Sequence, residues 1–360
     1  MPKRVLIVMS DTGGGHRAVA EAIAAALPAS VEYRLLDAFR ASPLPLFRQV
    51  PVLYPHASAF WQLPWAAVWH VSDRMEGLSA FLQPFIRPLI EQAIADFQPD
   101  GLVCVHPLLL SGVLAAAADR LPVLTVVSDL VTPHRTWFDR RSTLTMLPGV
   151  AVYERALRLG LAANRLQVSG LPVHPNFRGG LRARAEARAL LGWPARGRTV
   201  LLMAGGDRLA IARALNQLPT AFHLALLTGH DQQLRQRLRA LDWQHPVHIY
   251  PFVEDIPLLM SAADVLVSKA GPSTLSEAFM VGLPIVLSGY LRGQEWGNLA
   301  LLVDAGAGEH APRPAQVATV LSRWLQADGA ALAVFSRNAA LLARPDATRQ
   351  TVVALLEMLA

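Results

Sequence analysis

The chain is nearly devoid of cysteine and of lysine. Its single cysteine, Cys104, excludes an intrachain disulfide and a zinc site built from several cysteines, and it favours a reducing, cytoplasmic setting. Lys3 and Lys269 are the only lysines among 33 basic residues, so arginine carries nearly all of the positive charge. Since arginine has replaced lysine almost everywhere else, the retained Lys269 is a residue of interest.

Long apolar runs are also missing, although hydrophobic residues make up 52% of the chain and charged residues only 17%. No stretch of about 18 uninterrupted apolar residues is present, so no transmembrane helix is predicted. The apolar run near the N-terminus is too short for a signal peptide. The formal net charge of +6 predicts attraction to an anionic membrane surface, with an arginine bias of the genome as the alternative. Nucleic acid is not an expected partner, because no helix-turn-helix, RNP or zinc-finger motif is present.

Short apolar runs alternate with helical patterns along both halves of the chain, as in parallel βαβ units. The strands predicted for the first half are 5–9, 32–36, 101–105, 123–127, 144–146 and 167–169. Those predicted for the second half are 199–203, 223–227, 247–250, 264–268 and 284–287. A linker with two prolines and a glycine lies between them at 170–175.

This alternation predicts an α/β chain with two Rossmann-like, doubly wound domains that face a cleft. The first predicted domain spans 1–172 and the second spans 173–335. A C-terminal helix is expected over 336–360, packing back on the first domain.

A glycine turn follows the first predicted strand. Residues 11–16 read Asp-Thr-Gly-Gly-Gly-His, and an Ala-rich helical pattern follows over 18–27. A strand that enters a glycine turn and then a helix presents backbone N–H groups to an anion, and the imidazole of His16 can exchange a proton near neutral pH. The turn also satisfies the dinucleotide fingerprint G-x-G-x-x-A, with Asp37 as a ribose-binding acid. A nicotinamide-dependent oxidoreductase is therefore the alternative interpretation.

A second glycine turn, in the other predicted domain, is more specific for a nucleotide. Lys269 ends a strand, Gly271 lies in the turn, and Ser273 or the serine at 276 is the expected N-cap of the helix that follows. Free helix N–H groups and hydroxyls suit a diphosphate. The carboxylate of Glu277, one turn further on, offers two acceptor oxygens to a ribose, with stabilisation of the helix dipole as the structural alternative.

The stretch 42–69 does not fit the alternation. It contains five prolines and three tryptophans, and Arg48 is its one charged residue. Prolines disfavour a single long helix, and tryptophan favours the membrane–water interface because it carries a polar tip on an apolar body. We therefore expect Trp61, Trp65 and Trp69 to form a membrane-dipping surface; the alternative is an irregular segment folded into the core.

Taken together, these motifs resemble a known family. The segments that carry the resemblance are SDTGGGHRAVAEAI at 10–23, SDLVTPHRTWF at 128–138, GLPVHPNF at 170–177, KAGPSTLSEA at 269–278 and GLPIVLSGYLRGQEWGN at 282–298. They resemble the monogalactosyldiacylglycerol synthases and diacylglycerol glycosyltransferases, within the MurG-like enzymes of glycosyltransferase family 28. The resemblance extends over nearly the whole chain.

The resemblance implies a GT-B fold and an inverting hexosyltransferase that needs no cofactor and no bound metal. The implied donor is a UDP-hexose, galactose in preference to glucose, and the implied acceptor is 1,2-diacylglycerol. Residues 228–230 and 252–253 would contact the uridine, Glu277 the ribose, and residues 294–295 the hexose. The implied donor-binding residues are Gly205, Gly206, Thr228, Gly229, His230, Phe252, Val253, Lys269, Gly271, Ser273, Thr274, Glu277, Gln294, Glu295 and Asn298.

The acceptor is implied to bind the first domain. His16 is the expected base that takes the proton of the acceptor hydroxyl, and Asp129 either orients His16 or is itself the base. The residues expected near the acceptor or the membrane are Gly14, Gly15, Trp61, Trp65, Trp69, His134 and Trp137.

Two features depart from the family pattern. The loop after Asp207 lacks the further glycines expected of the plant enzymes, which leaves the donor sugar open. The chain also begins almost directly at its first strand, without a transit peptide. We therefore expect a bacterial enzyme that is bound peripherally to the cytoplasmic face of the cell membrane.

Overall fold

The computed structural model describes residues 2–12, 14–60, 62–75, 77–203, 206–326 and 330–360. The chain divides into two compact units. The first holds residues 1–175, 291–297 and 344–360, and the second holds 176–290 and 298–343. The segment predicted as a separate C-terminal helix, 336–360, is thus shared between the units, and 291–297 lies in the first unit rather than with the second predicted domain.

The first unit is built on six parallel strands in the order β2-β1-β3-β4-β5-β6, as far as the structure describes it. The strands are β1 Lys3–Met9, β2 Val31–Asp37, β3 Gly101–Cys104, β4 Val123–Val126, β5 Leu144–Leu147 and β6 Leu166–Val168. The helices are α1 Gly15–Ala26, α2 Ala38–Ala41, α3 Pro45–Phe60, α4 Gln62–Ser72, α5 Leu78–Phe97, α6 Pro107–Ala117, α7 Val150–Arg158 and, at the C-terminus, α17 Ala347–Met358.

Strand β1 shows how this sheet is buried on both faces. Successive side chains of a strand point to opposite faces, so its continuous apolar run supplies two cores. Ile7 belongs to a buried cluster with Val19 of α1 and Leu355 of α17. Its neighbour Leu6 belongs to another cluster with Ile90 of α5. Helices therefore cover both faces, as the predicted doubly wound arrangement requires.

The second unit repeats this architecture, with strands in the order β12-β11-β10-β7-β8-β9. The strands are β7 Thr199–Leu202, β8 His223–Leu227, β9 Val247–Tyr250, β10 Val265–Lys269, β11 Ile285–Gly289 and β12 Gly308–His310. The helices, of which α14 begins in the first unit, are α8 Asn176–Gly179, α9 Arg184–Leu191, α10 Arg208–Asn216, α11 Gln232–Arg239, α12 Ile256–Ala262, α13 Pro272–Val281, α14 Trp296–Asp304, α15 Pro314–Gln326 and α16 Ala330–Leu342.

The stretch 42–69 is helical over most of its length. The alternative interpretation, an irregular segment, is therefore wrong. Pro51 and Pro55 lie within α3, although a proline inside a helix costs about 3 kcal/mol. Large apolar side chains of this stretch and of the following helix α5 face outward, since Leu46 of α3 is 75% exposed and Phe81 of α5 is 72% exposed. Trp61 lies outside the described residues. Among the helices that the structure describes, none is long and apolar enough to cross a membrane.

The C-terminal helix α17 is fixed to the end of the predicted linker. The hydroxyl of Thr348 accepts a hydrogen bond from the N–H of Val173 at 2.9 Å and donates one to its carbonyl oxygen at 2.6 Å. Gly170 has a φ of +95°, and a Cβ atom there would lie 2.4 Å from the Cβ atom of Arg344. Only glycine allows this conformation and this approach without strain.

Candidate active site

His16 lies in the first turn of α1, directly after the glycine turn that ends β1. Gly14 is the N-cap residue with a φ of 86°, in the left-handed region that glycine adopts most readily. Its carbonyl oxygen accepts from the N–H of Ala18 at 3.0 Å, which starts the helix. Helix α1 therefore begins at Gly15, three residues before the predicted start, and this places the imidazole at the positive end of the helix dipole.

The His16 ring is buried and held by groups from two other strand ends. Its Nδ1 atom lies 2.7 Å from Oγ of Ser128, and its ring centroid lies 4.5 Å from that of His106. Burial lowers the pKa of His16 to about 4, although the carbonyl of Val105 and the carboxylate of Asp11 favour the charged form. The imidazole is therefore neutral at pH 7 and able to accept a proton.

Asp129 does not contact the His16 ring as expected, because other partners take both of its oxygens. Oδ2 accepts from Nε1 of the fully buried Trp137 at 2.7 Å, and Oδ1 accepts from Nε2 of Gln294 at 2.7 Å. The pKa of Asp129 is raised to about 6, chiefly because burial disfavours its charged form. The hydrogen bonds from Gln294 and Trp137 lower this pKa in part, and the nearby Glu295 adds to the increase. The expected hydrogen bond from Asp129 to His16 is thus not what the structure shows: the hydroxyl of Ser128, the residue before it, lies against the ring instead. Whether Asp129 is itself the base stays a prediction.

Gln294 and Glu295, expected to read the donor sugar, lie in the first unit beside the loop that follows β4. The backbone carbonyl oxygen of Gln294 accepts from Oγ1 of Thr132 at 2.5 Å. Oε2 of Glu295 accepts from the N–H of Leu291 at 2.7 Å. The structure thereby brings both residues together with Asp129.

The predicted acceptor residues are tied to the end of α4. Nε2 of His134 lies 3.1 Å from Oγ of Ser72, and its ring packs edge-on against Trp69 at 4.9 Å. Asp73 accepts from the guanidinium of Arg155 at 2.7 Å and from the N–H of residue 135 at the same distance. These hydrogen bonds lower the pKa of Asp73, which keeps the carboxylate charged. No motif in the sequence pointed to Ser72, Asp73 or Arg155.

Asp37 is the acid of the alternative dinucleotide interpretation, and both of its carboxylate oxygens accept hydrogen bonds from other residues of the chain. Oδ1 accepts from Oγ of Ser10 at 2.8 Å and from the N–H of Arg40 at 3.2 Å, which caps α2. Oδ2 accepts from Arg17 at 3.3 Å, and Arg17 also binds Asp11 at 2.9 Å. Gly13 of the fingerprint lies outside the described residues. Asp37 is therefore a structural carboxylate of the glycine turn.

In the second unit, the ends of β8 and β9 form an exposed aromatic surface. The rings of His230 and Phe252 stack at 4.7 Å with an interplanar angle of 11°, and Phe252 is 57% exposed. Thr228 is buried, and its N–H and hydroxyl both donate to the carbonyl of Tyr250 at 2.9 Å. Arg208, which sequence reasoning missed, donates to the carbonyl of residue 227 at 3.0 Å.

The turn between β10 and α13 is capped differently from the prediction. Gly271 is the N-cap residue and provides no side-chain bond, and Pro272 occupies the first helical position. The expected capping by Ser273 or Ser276 is therefore wrong, because the helix starts before either residue, with proline at its first position. Ser273 instead belongs to the first turn of the helix, together with residue 274.

The neighbourhood of this turn holds polar groups without a protein partner. Nδ2 of Asn298 donates to the carbonyl of Ala270 at 2.9 Å, whereas its buried Oδ1 atom has no partner among the described residues. Glu277 is partly exposed, and no charged or hydrogen-bonding group of the described chain contacts its carboxyl. Desolvation by the surrounding protein raises its pKa to about 8.

The remaining predicted donor residues lie in or near the turns of the second unit. Gly206 has a φ of +55°, and a Cβ atom there would lie 3.3 Å from the carbonyl oxygen of Ser288. Gly229 also has a positive φ and open space around it. Gly205 lies outside the described residues, Val253 and Lys269 are half-buried, and Trp65 of the acceptor set is half-buried too. Within the described ranges, no group of three or more His, Cys, Asp or Glu side chains is arranged to hold a metal ion.

Comparison with known proteins gives matches in both units. A family model for monogalactosyldiacylglycerol synthase matches residues 16–173, and one for the glycosyltransferase family 28 C-terminal domain matches residues 208–322. The chain is 35% identical to monogalactosyldiacylglycerol synthase 1 of Arabidopsis thaliana over 98% of its own length and 70% of that protein. It is 36% identical to the synthase of Spinacia oleracea over 98% of its length and 72% of that protein.

Both of these plant relatives are described as chloroplastic. The expectation of a bacterial enzyme on the cytoplasmic face of the cell membrane is therefore wrong. The similarity to chloroplastic proteins overturns it.

Solved structures show the same fold at low sequence identity. MurG of Acinetobacter baumannii superimposes with a TM-score of 0.64 and 16% identity, covering 99% of this chain and 100% of that one. Anabaena HepE, in complex with UDP-glucose, gives a TM-score of 0.59 and 17% identity, covering 98% and 99% of the two chains. These likenesses confirm the predicted GT-B fold.

Proposed function

The chain belongs to the monogalactosyldiacylglycerol synthase family and is a UDP-sugar-dependent hexosyltransferase, and from this premise we propose that it transfers galactose from UDP-galactose to 1,2-diacylglycerol. The observation that carries this proposal is the identity of about one third with galactolipid synthases along 98% of the chain. Transfer occurs with inversion at the anomeric carbon, so the product is a β-galactosyl diacylglycerol.

His16 is the proposed catalytic base. The acceptor hydroxyl oxygen attacks C1 of the sugar and forms the new C1–O bond, the bond from C1 to the diphosphate breaks, and the hydroxyl proton passes to the imidazole. Burial lowers the pKa of His16 to about 4, which keeps the ring neutral before the reaction. The low pKa also makes His16 a weak base, so proton transfer follows rather than precedes the attack on C1.

The second unit supplies the proposed donor contacts. The stacked pair of His230 and Phe252 offers an exposed aromatic face to the uracil ring. Glu277 has a partly exposed carboxyl whose raised pKa keeps it protonated at pH 7, so it can donate to one hydroxyl of a ribose and accept from the other. The diphosphate would lie on Gly206 and on the N-terminus of α13 at Ser273, where helix N–H groups and the dipole stabilise the departing UDP.

We further propose that Gln294 and Glu295 recognise the hexose. Asp129 fixes the amide of Gln294, and the N–H of Leu291 fixes the carboxylate of Glu295. Ordered groups of this kind discriminate between sugar epimers better than flexible ones, since a wrong hydroxyl leaves a buried polar group unpaired.

A lipid surface is the proposed environment of the acceptor. Helices α3 to α5 expose large apolar side chains, among them Leu46 and Phe81, and such exposure is unfavourable on a surface in contact with water. Arg74 and Arg48 would contact anionic headgroups, as would Arg87 when it is released from its ion pair with Glu91.

The proposal is tested by incubating the purified chain with radiolabelled UDP-galactose or UDP-glucose and diacylglycerol vesicles, with and without EDTA. We expect a labelled monoglycosyl lipid from UDP-galactose in both conditions, with the β configuration by NMR. The absence of a lipid product with either donor would reject the transferase assignment to this acceptor. Loss of product with EDTA alone would reject the proposal that no metal is required.

A further inference from the structure

The side chain that lies against Nδ1 of the histidine at the start of α1 is a hydroxyl rather than a carboxylate. Ser128 follows β4 in the sequence, and its Oγ atom lies 2.7 Å from Nδ1 of His16. Both side chains are buried, so water does not compete for this contact. The neighbouring carboxylate of Asp129 is bound instead by Trp137 and Gln294.

We propose that Ser128 is the positioning residue of His16: its Oγ atom accepts a hydrogen bond from Nδ1–H, which leaves Nε2 unprotonated for the reacting hydroxyl. A neutral imidazole carries one proton, so a proton held on Nδ1 makes Nε2 the acceptor nitrogen. The carbonyl of Val105, which also favours a protonated ring, competes with Ser128 for this proton because a carbonyl oxygen can only accept. This inference rests on the proposed function, because it assigns the orientation of the base in that reaction.

The role of Ser128 continues through the transfer. When the acceptor oxygen bonds to C1 and UDP departs, the hydroxyl proton moves to Nε2 and the ring becomes an imidazolium with a proton on each nitrogen. The Nδ1–H group still donates to Ser128, and a hydrogen bond from a charged donor is stronger than one from a neutral donor. Ser128 therefore stabilises the charge that appears on the ring as the reaction proceeds.

Three variants test this role by kinetics. Ser128→Ala is expected to lower kcat by about tenfold to a hundredfold, the range for loss of one hydrogen bond to a charged group, with KM for the UDP-sugar nearly unchanged. Ser128→Thr keeps the hydroxyl and is expected to restore kcat to within about threefold of wild type. Thr145→Val is the matched control, because it removes a buried hydroxyl of the adjacent strand β5 that has no partner among the described residues.

A structural role would give a different pattern. A kcat of Ser128→Ala within about threefold of wild type, or an equal loss in Thr145→Val, would overturn the proposal. So would a failure of Ser128→Thr to recover activity while the protein remains folded by circular dichroism.

A second measurement does not depend on activity. Nitrogen NMR of protein labelled in its histidine rings reports which nitrogen carries the proton, with the His16 signals assigned by their loss in His16→Gln. We expect the Nδ1–H tautomer in wild type at pH 7, and the Nε2–H tautomer would overturn the proposal. If wild type forms no glycolipid at all, the proposed function fails, whereas the NMR result still decides the direction of the hydrogen bond.

Discussion

At the scale of single residues, His16 and Asp129 differ in the pKa that burial gives to each. Burial disfavours charge, so it lowers the pKa of the imidazole to about 4 and raises that of the carboxyl to about 6. Each group must be deprotonated to accept a proton. The activity therefore disappears as the pH falls through the pKa of whichever group is the base.

This difference predicts the pH profile of kcat/KM. With His16 as the base, the profile is level between about pH 6 and 8 and its acid limb lies well below pH 6. Asp129→Asn is the control variant and is expected to keep the same limb, even if its rate is lower. An acid limb centred near pH 6 in wild type that disappears in Asp129→Asn would identify Asp129 as the base instead. Tryptophan fluorescence at each pH verifies that the chain remains folded.

Replacement of His16 by alanine predicts a loss in kcat without a loss in donor binding. The expected decrease is roughly 10²–10⁴-fold, the typical contribution of a general base. The affinity for UDP, measured by titration calorimetry, stays nearly the same, because the residues proposed to bind uridine and ribose are in the second unit. A decrease of tenfold or less would remove His16 as the base.

The sequence predicted His16 but not its partner, for a physical reason. A histidine that follows a strand and a glycine turn has one available position, at the start of the next helix. His16 occupies this position in the structure. Ser128 and Asp129 are consecutive residues, and consecutive side chains of an extended chain point in different directions. Which of the two faces His16 depends on how the backbone leaves β4, and no residue pattern specifies that.

At the scale of elements, α3 and α5 leave large apolar side chains exposed. Helix α5 does so although its other residues, such as Ile90, pack on the first sheet. The sequence predicted the aromatic character of this region but not that it is helical, because Pro51 and Pro55 favour other conformations. Proline lowers the stability of a helix without excluding it where the rest of the segment compensates.

The exposed apolar side chains of α3 and α5 predict that their removal weakens binding to lipid vesicles. Changing both Leu46 and Phe81 to serine should lower the vesicle partition coefficient by about a hundredfold or more, since burying each side chain contributes about 1.5–3 kcal/mol. Leu341→Ser is the matched control, because Leu341 is 77% exposed but lies on α16 of the second unit. Co-sedimentation with vesicles of diacylglycerol and an anionic lipid measures both. Equal binding by the double variant and wild type would show that these side chains do not contact the lipid.

Strand β12 shows a second limit of sequence reasoning at this scale. It has three residues, of which two are the polar Glu309 and His310, so no apolar run marks it. It forms because Gly308 fits against β11, where a Cβ atom would lie 1.9 Å from the carbonyl oxygen of Ile285. Pairing with a neighbouring strand, rather than local sequence, determines such an edge strand.

At the scale of the whole molecule, the chain does not divide at a single point. The C-terminal region returns to the first unit only at residue 344, because α16 is held in the second unit, where Oγ of Ser336 donates to the carbonyl of Gly282 at 2.7 Å. The sequence predicted two domains of this architecture, while the exact division depends on such contacts between distant segments.

The return of α17 predicts that a core substitution near the C-terminus acts on the first unit. Leu355→Ala is expected to lower the free energy of unfolding by about 2–5 kcal/mol, because Leu355 is fully buried in the cluster around β1. UDP affinity of the folded protein is expected to be unchanged, since the proposed uridine and ribose contacts are in the second unit. Chemical denaturation measures the first quantity, with the exposed Leu341→Ala as the control. An unchanged stability would show that α17 does not support this core.

The central claim is the transfer of galactose to diacylglycerol, and the ratio of kcat/KM for UDP-galactose to that for UDP-glucose tests it most directly. Both donors are measured with the same diacylglycerol vesicles and the same enzyme preparation. We predict a ratio of at least about ten, which corresponds to about 1.4 kcal/mol of preferential transition-state binding. A ratio at or below one would contradict the account and make the chain a diacylglycerol glucosyltransferase.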